Sequence, residues 1–145
     1  MNVTVKTPWH LWVIGVVSLL WNAFPALDFT LTNLQNDFWL SPLTQPQREF
    51  ILSAPLWADA CWALGGFGSF VGSILLLMRS RHAVTAFLLS AVGLAGSAYY
   101  QLVQNAEAMQ RLFAGLPFYI TAAVAVVLLG LILYARAMAA KGVLR

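Results

Sequence analysis

Four long apolar runs divide the chain, with polar and charged residues gathered in the short stretches between them. They cover about residues 9–33, 55–78, 83–104 and 115–138, and a polar outer loop, 34–54, separates the first two. A helix needs about 20 mostly apolar residues to cross a hydrocarbon core about 30 Å thick. Each run reaches that length. Alternation with period two is absent, which argues against a barrel. The third run holds no charged residue, the second only Asp59, the first only Asp28, and the fourth none before Arg136. The pattern predicts an all-α fold: one integral membrane domain over residues 1–145, built as a four-helix bundle.

Within the outer loop, Thr44-Gln45-Pro46-Gln47 has the form of a helix start. Thr44 can cap, Pro46 suits a first turn, and Gln47 can reach back to the cap. A short interfacial helix from about Gln45 to Ser53 is expected, with Phe38, Trp39 and Phe50 at headgroup level. An ordinary loop anchored by the same aromatics fits equally well.

Composition sharpens the membrane reading. Hydrophobic residues make up 61% of the chain and charged residues 9%, against about 25% charged in ordinary soluble domains. A soluble fold would have to show large apolar patches to water, whereas lipid solvates them. The formal net charge of +3 is small and dispersed, which excludes a nucleic-acid surface. Cys61 is the single cysteine, so an intrachain disulfide and multi-cysteine metal or redox motifs are excluded; it reads as a small buried residue. The first apolar run follows Lys6 like a secretory signal, but Trp21, Asn22 and Phe24 occupy the place of a small-residue cleavage site. It is expected to stay as a transmembrane helix.

Lys and Arg favour cytoplasmic flanks. Lys6, Arg79, Arg81, Arg136, Lys141 and Arg145 fall on one side with no acid, while the other side has Arg48 and Arg111 with Asp37, Glu49 and Glu107. Both termini are therefore expected in the cytoplasm. Trp9, Trp12 and Tyr134 would anchor the inner boundary, and Trp57, Tyr99, Tyr100 and Tyr119 the outer one.

Polar groups inside a membrane are costly and need partners or a function. Counting 1.5 Å per residue places Asn22, Asp28, Asp59, Tyr100, Gln101, Gln104 and Tyr119 in one outer layer fed by all four helices. With Trp21 and Trp62 they outline a candidate ligand site, suited to an amphipathic or cationic molecule or a proton-coupled step. The competing reading makes the amides interhelical glue and lets Asp28 and Asp59 reach for the outer interface. Small residues at steps of three and four, namely Gly65, Gly68, Ser69 and Gly72 on the second helix and Gly93 and Ser97 on the third, predict close helix packing. That contact lies either within one chain or in a homodimer seam.

No cofactor or metal is expected, since His10 and His82 sit on the inner side and Gly65-Gly66-x-Gly68 falls mid-membrane. The leading expectation is a non-enzymatic membrane protein that binds or moves a small amphipathic molecule among membrane lipids. An accessory subunit of a larger membrane complex is the alternative. A membrane enzyme using Asp28 and Asp59 on a lipid-like substrate comes third.

Leu20-Trp21-Asn22, Leu27-Asp28-Phe29, Pro55-Leu56-Trp57 and Trp62-Ala63-Leu64, with the Gly-rich run to Arg79 and the ending Tyr134-Ala135-Arg136 through Arg145, resemble a group of small bacterial inner-membrane proteins. Members of that group are mostly catalogued as hypothetical, sometimes as sugar transporters. The resemblance implies a multi-pass inner-membrane architecture. In helix number and in acids on helices one and two, the pattern is also similar to the EXPERA group of sterol-isomerase and sigma-2-receptor-like proteins. There Asp28 and Asp59 would be the matching acids around a lipophilic cavity.

Overall fold

The computed structural model describes residues 5–145 and is all-helical, with 82% of residues in helices. Seven helices follow in order: α1 Trp9–Asn33, α2 Asp37–Leu40, α3 Gln45–Leu52, α4 Leu56–Leu77, α5 His82–Tyr99, α6 Ala106–Phe113 and α7 Leu116–Ala140. Tyr100–Gln104 continues α5 as a π turn. Among the described residues four helices are long and apolar enough to cross a membrane: α1, α4, α5 with its π turn, and α7.

The helix ends follow local chemistry. α1 closes at Gln35 (φ 51°), where Asn36 N–H reaches back to the Leu31 carbonyl at 3.0 Å. α4 closes in the same way at Arg79 (φ 58°), with Ser80 N–H on the Leu75 carbonyl at 2.8 Å. A left-handed residue satisfies the orphan carbonyls of a last helical turn. α7 uses Gly142 (φ 72°), the residue that adopts this conformation without a Cβ penalty. The expected helix at Gln45 forms as α3, and Thr44 N–H donates to Gln47 Oε1 at 2.9 Å.

Neighbours in sequence are neighbours in space: α1 packs on α4, α4 most intimately on α5, and α5 on α7. Small residues set these distances. A Cβ added at Gly93 would meet Gly65 N and the Cys61 carbonyl, and one at Gly68 would lie 3.1 Å from Ser90 Cβ. The Ser90 hydroxyl donates to the Gly65 carbonyl at 2.6 Å, tying α5 to α4. On the opposite face of α4, a Cβ at Gly66 would come within 3.1 Å of the Pro25 carbonyl, so α1 and α4 also meet backbone to backbone.

All four long helices contribute to one apolar cluster, but only toward one end. Leu11, Leu76, Ala83, Phe87, Leu131, Ile132 and Ala135 are buried there with Val143 and Leu144 from beyond α7. His10 Nδ1 and the Tyr134 hydroxyl share a 2.6 Å hydrogen bond across α1 and α7 at this end. Toward the other end α7 is covered less, and none of its residues before Leu128 is buried. Two short helices close that end. Gln47 Nε2 of α3 donates to the Leu112 carbonyl of α6 at 2.7 Å, and Met109 of α6 is buried.

Candidate functional site

The register of α1 on α4 decides which polar groups can meet. Phe29 packs edge-on against Trp62 with ring centroids 5.3 Å apart, and Pro25 meets Gly66. In this antiparallel pair, residue 28 therefore stands opposite about residue 63. Asp59 lies four residues farther along α4, which is about 6 Å at 1.5 Å per residue. The two acids are therefore offset along the helix pair by roughly a helical turn.

Asp28 has partners of its own. Trp39 Nε1–H donates to Asp28 Oδ1 at 2.8 Å, and the Thr32 hydroxyl approaches the same oxygen at 3.5 Å. Trp39 is held by α2, whose cap is Asn36 Oδ1 accepting from Trp39 N–H at 3.0 Å, and its ring also meets Phe24. The loop thus covers the carboxylate, a contact that sequence reading missed because Trp39 was assigned to the headgroups. Asn22 lies deeper and is buried, donating through Nδ2 to Ser73 Oγ at 2.9 Å. The Ser73 hydroxyl in turn donates to the Ser69 carbonyl at 3.0 Å. This pair is a buried α1–α4 cross-link separate from both acids, and it accounts for Ser69 and Ser73 facing α1.

Asp59 is differently placed. It stands in the first turn of α4, partly buried, where the positive end of the helix dipole meets a carboxylate. The π turn brings Tyr100 to the same end of α4 through its contact with Trp57. There Trp57 meets Tyr100 edge-on at 5.6 Å, Phe50 stacks on Tyr100 at 6.3 Å, and Trp57 lies 6.5 Å from Tyr99. Among the described residues no side chain or backbone donor is hydrogen-bonded to the Asp59 carboxylate. The π turn carries Gln101, partly buried, and Gln104, exposed. Such one-turn widenings recur at functional sites.

The remaining candidates fall outside this cluster. Trp21 and Tyr119 are exposed, at 46% and 70%, and the Tyr119 ring packs edge-on against Phe118. Trp62 belongs to the Phe29 contact. Gly65, Gly68, Gly72 and Gly93 line the α4–α5 seam, Cys61 covers Gly96 there, and the buried hydroxyl of Ser97 has no partner among the described residues. Two open recesses flank the same end. One of about 230 Å³ lies among Leu102, Met109, Gln110 and Phe118, and a shallower one of about 790 Å³ runs along α3 past Arg48 and Glu49. No group of three His, Cys, Asp or Glu that could hold a metal ion occurs among the described residues.

The geometry offers one carboxylate at the end of α4 that carries an aromatic cluster, a second under a tryptophan latch, and a buried amide cross-link. Comparison of the chain with protein-family models, curated proteins and solved structures finds no match.

Proposed function

We propose that this chain is a multi-pass protein of a bacterial inner membrane, with both termini cytoplasmic, that binds or moves a small amphipathic molecule bearing a positive charge. The observation that carries the reading is Asp59: a carboxylate inside an apolar helix, without a hydrogen-bond donor among the described residues, at the end of α4 where Trp57, Tyr100 and Phe50 form an aromatic cluster. Aromatic faces attract cations by roughly 0.5–2 kcal/mol, and a carboxylate adds direct charge pairing. A cation with an apolar body matches both, and α3 would lie in the interface with Phe50 over the site. Asp28, already held by Trp39, serves as a latch for the loop.

The orientation is supported by the basic flanks, which gather at one end of the helices. Val5 lies 3.7 Å from a Cβ built on Gly142, and Arg145 is bonded to the Arg79–Arg81 turn. A fluorescent reporter fused after Arg145 is expected to light in the cytoplasm; alkaline phosphatase activity at that position would reverse the assignment.

Binding of tetraphenylphosphonium to the detergent-purified protein tests the site. Asp59→Asn is expected to weaken it about tenfold, equivalent to about 1.4 kcal/mol, while Asp28→Asn leaves it within about twofold. Equal binding by wild type and Asp59→Asn would remove the proposal.

A second reading is favoured by α7, whose outward face presents Ala122, Val126, Leu129, Gly130 and Leu133, with open space above Gly130. Small residues on a lipid-facing helix permit close approach of another helix, as an accessory subunit or a homodimer would need.

A further inference from the structure

The end of the helices opposite Asp59 carries a second arrangement that the outer site does not use. Arg79 occupies the left-handed position that closes α4, where glycine is the usual residue and any other side chain adds backbone strain. Its Nε donates to the Val143 carbonyl at 3.3 Å, but Nη2 is buried without a hydrogen-bond partner among the described residues. Arg145 N–H donates to the Arg79 carbonyl at 2.7 Å, and Arg81 N–H donates to the Arg145 carbonyl at 3.0 Å. Three arginines, two from the α4–α5 turn and one from beyond α7, thus leave a single hydrogen-bonded backbone corner. Arg81, Arg145, His82 and Lys141 are exposed around it.

No acidic side chain lies at this end. All five acids, Asp28, Asp37, Glu49, Asp59 and Glu107, lie on α1's far end or on elements at the other end of the molecule. The N-terminus of α5 begins at the same corner and adds its positive dipole. A buried guanidinium donor without an acceptor is costly, and the planar guanidinium fork suits a phosphate oxyanion. Met78, next to Arg79, is 69% exposed and offers an apolar contact at the same level. We infer that the Arg79–Arg81–Arg145 corner binds the phosphate group of an anionic phospholipid from the leaflet at this end.

The test is the thermal stability of the purified protein in a neutral detergent, titrated with dioleoylphosphatidylglycerol, dioleoylphosphatidylcholine or inorganic phosphate. Phosphatidylglycerol is expected to raise the melting temperature by several degrees and to saturate, while the other two leave it unchanged. Arg81→Gln and Arg145→Gln should each weaken the half-saturating concentration about fivefold. Arg48→Gln and Arg111→Gln, at the opposite end, should not. The response should persist in Asp59→Asn, which separates this site from the outer one. A shift of the same size with inorganic phosphate would mark a free-phosphate site and overturn the lipid assignment. An equal shift with phosphatidylcholine, or a full response in an Arg81→Gln, Arg145→Gln double variant, would overturn the site itself.

Discussion

Gly93→Ala is expected to destabilise the protein by about 2–3 kcal/mol, the upper range for inserting one carbon into a packed contact. The added Cβ would meet Gly65 N, lie 2.5 Å from the Cys61 carbonyl and 3.0 Å from Gly65 Cα. All three are backbone atoms of α4, so no side chain can rotate away and the helices must part. The better helix propensity of alanine, about 1 kcal/mol over glycine, offsets only part of this. Parting α4 from α5 would also stretch the 2.6 Å bond from Ser90 to the Gly65 carbonyl. Gly65→Ala is the matched control, because its Cβ meets Leu94 N at 3.4 Å, an ordinary contact. Gly130→Ala faces open space and should be neutral or slightly stabilising. Thermal unfolding in detergent measures all three. If Gly93→Ala melts with Gly65→Ala, the α4–α5 seam is looser than its geometry.

That contrast shows what the sequence can carry. Spacing by three and four placed Gly65, Gly68, Gly72 and Gly93 on facing sides, because a helix repeats every 3.6 residues. Which glycine of a facing pair bears the closest approach depends on helix rotation by a few degrees, which periodicity cannot supply. The same holds for depth. Each long helix was legible from its length and apolar content, and the Thr44 start of α3 from capping chemistry. Counting residues along α1 and α4 separately assumes a common starting plane. The structure sets the register instead through Pro25 against Gly66 and Phe29 against Trp62, which puts Asp28 and Asp59 a turn apart.

Two elements escaped notice for a different reason. α2 and α6 are short, and their large apolar residues, Phe38 to Leu40 on α2 and Met109, Leu112 and Phe113 on α6, are too few to form a membrane-length run. Asn36 ahead of Asp37 was a readable cap for α2, and Met109 with Leu112 and Phe113 a readable face for α6. The aromatic cluster at the Asp59 end of α4 needed the loop to bring Phe50 onto Tyr100. Phe50 lies nine residues and Tyr100 forty-one residues from that acid, a juxtaposition made by tertiary structure alone.

The tail beyond α7 read only as a basic flank, yet it should prove among the most sensitive parts of the chain. Leu144→Ala is expected to cost about 2–5 kcal/mol, the range for truncating a buried leucine. Gly142 turns the backbone so that Val143 and Leu144 N–H groups both return to the Met138 carbonyl, at 3.0 and 3.3 Å. Val143 and Leu144 are then 3% and 1% exposed, in the cluster formed by Leu11, Leu76, Phe87 and Ala135. Leu144 lies past the last apolar span, so in the unfolded tail it faces water and the full transfer penalty applies. Leu133→Ala, on the outward face of α7 and 57% exposed, is the control and should change stability little, because lipid solvates either side chain. Loss of Leu144 should also free the tail from the Arg79–Arg81 turn, so trypsin should cleave after Lys141 faster in Leu144→Ala than in wild type. Unchanged melting and unchanged cleavage would mean that the tail rests on the bundle without contributing to it, and the arginine corner would then lose the packing that holds Arg145 in place.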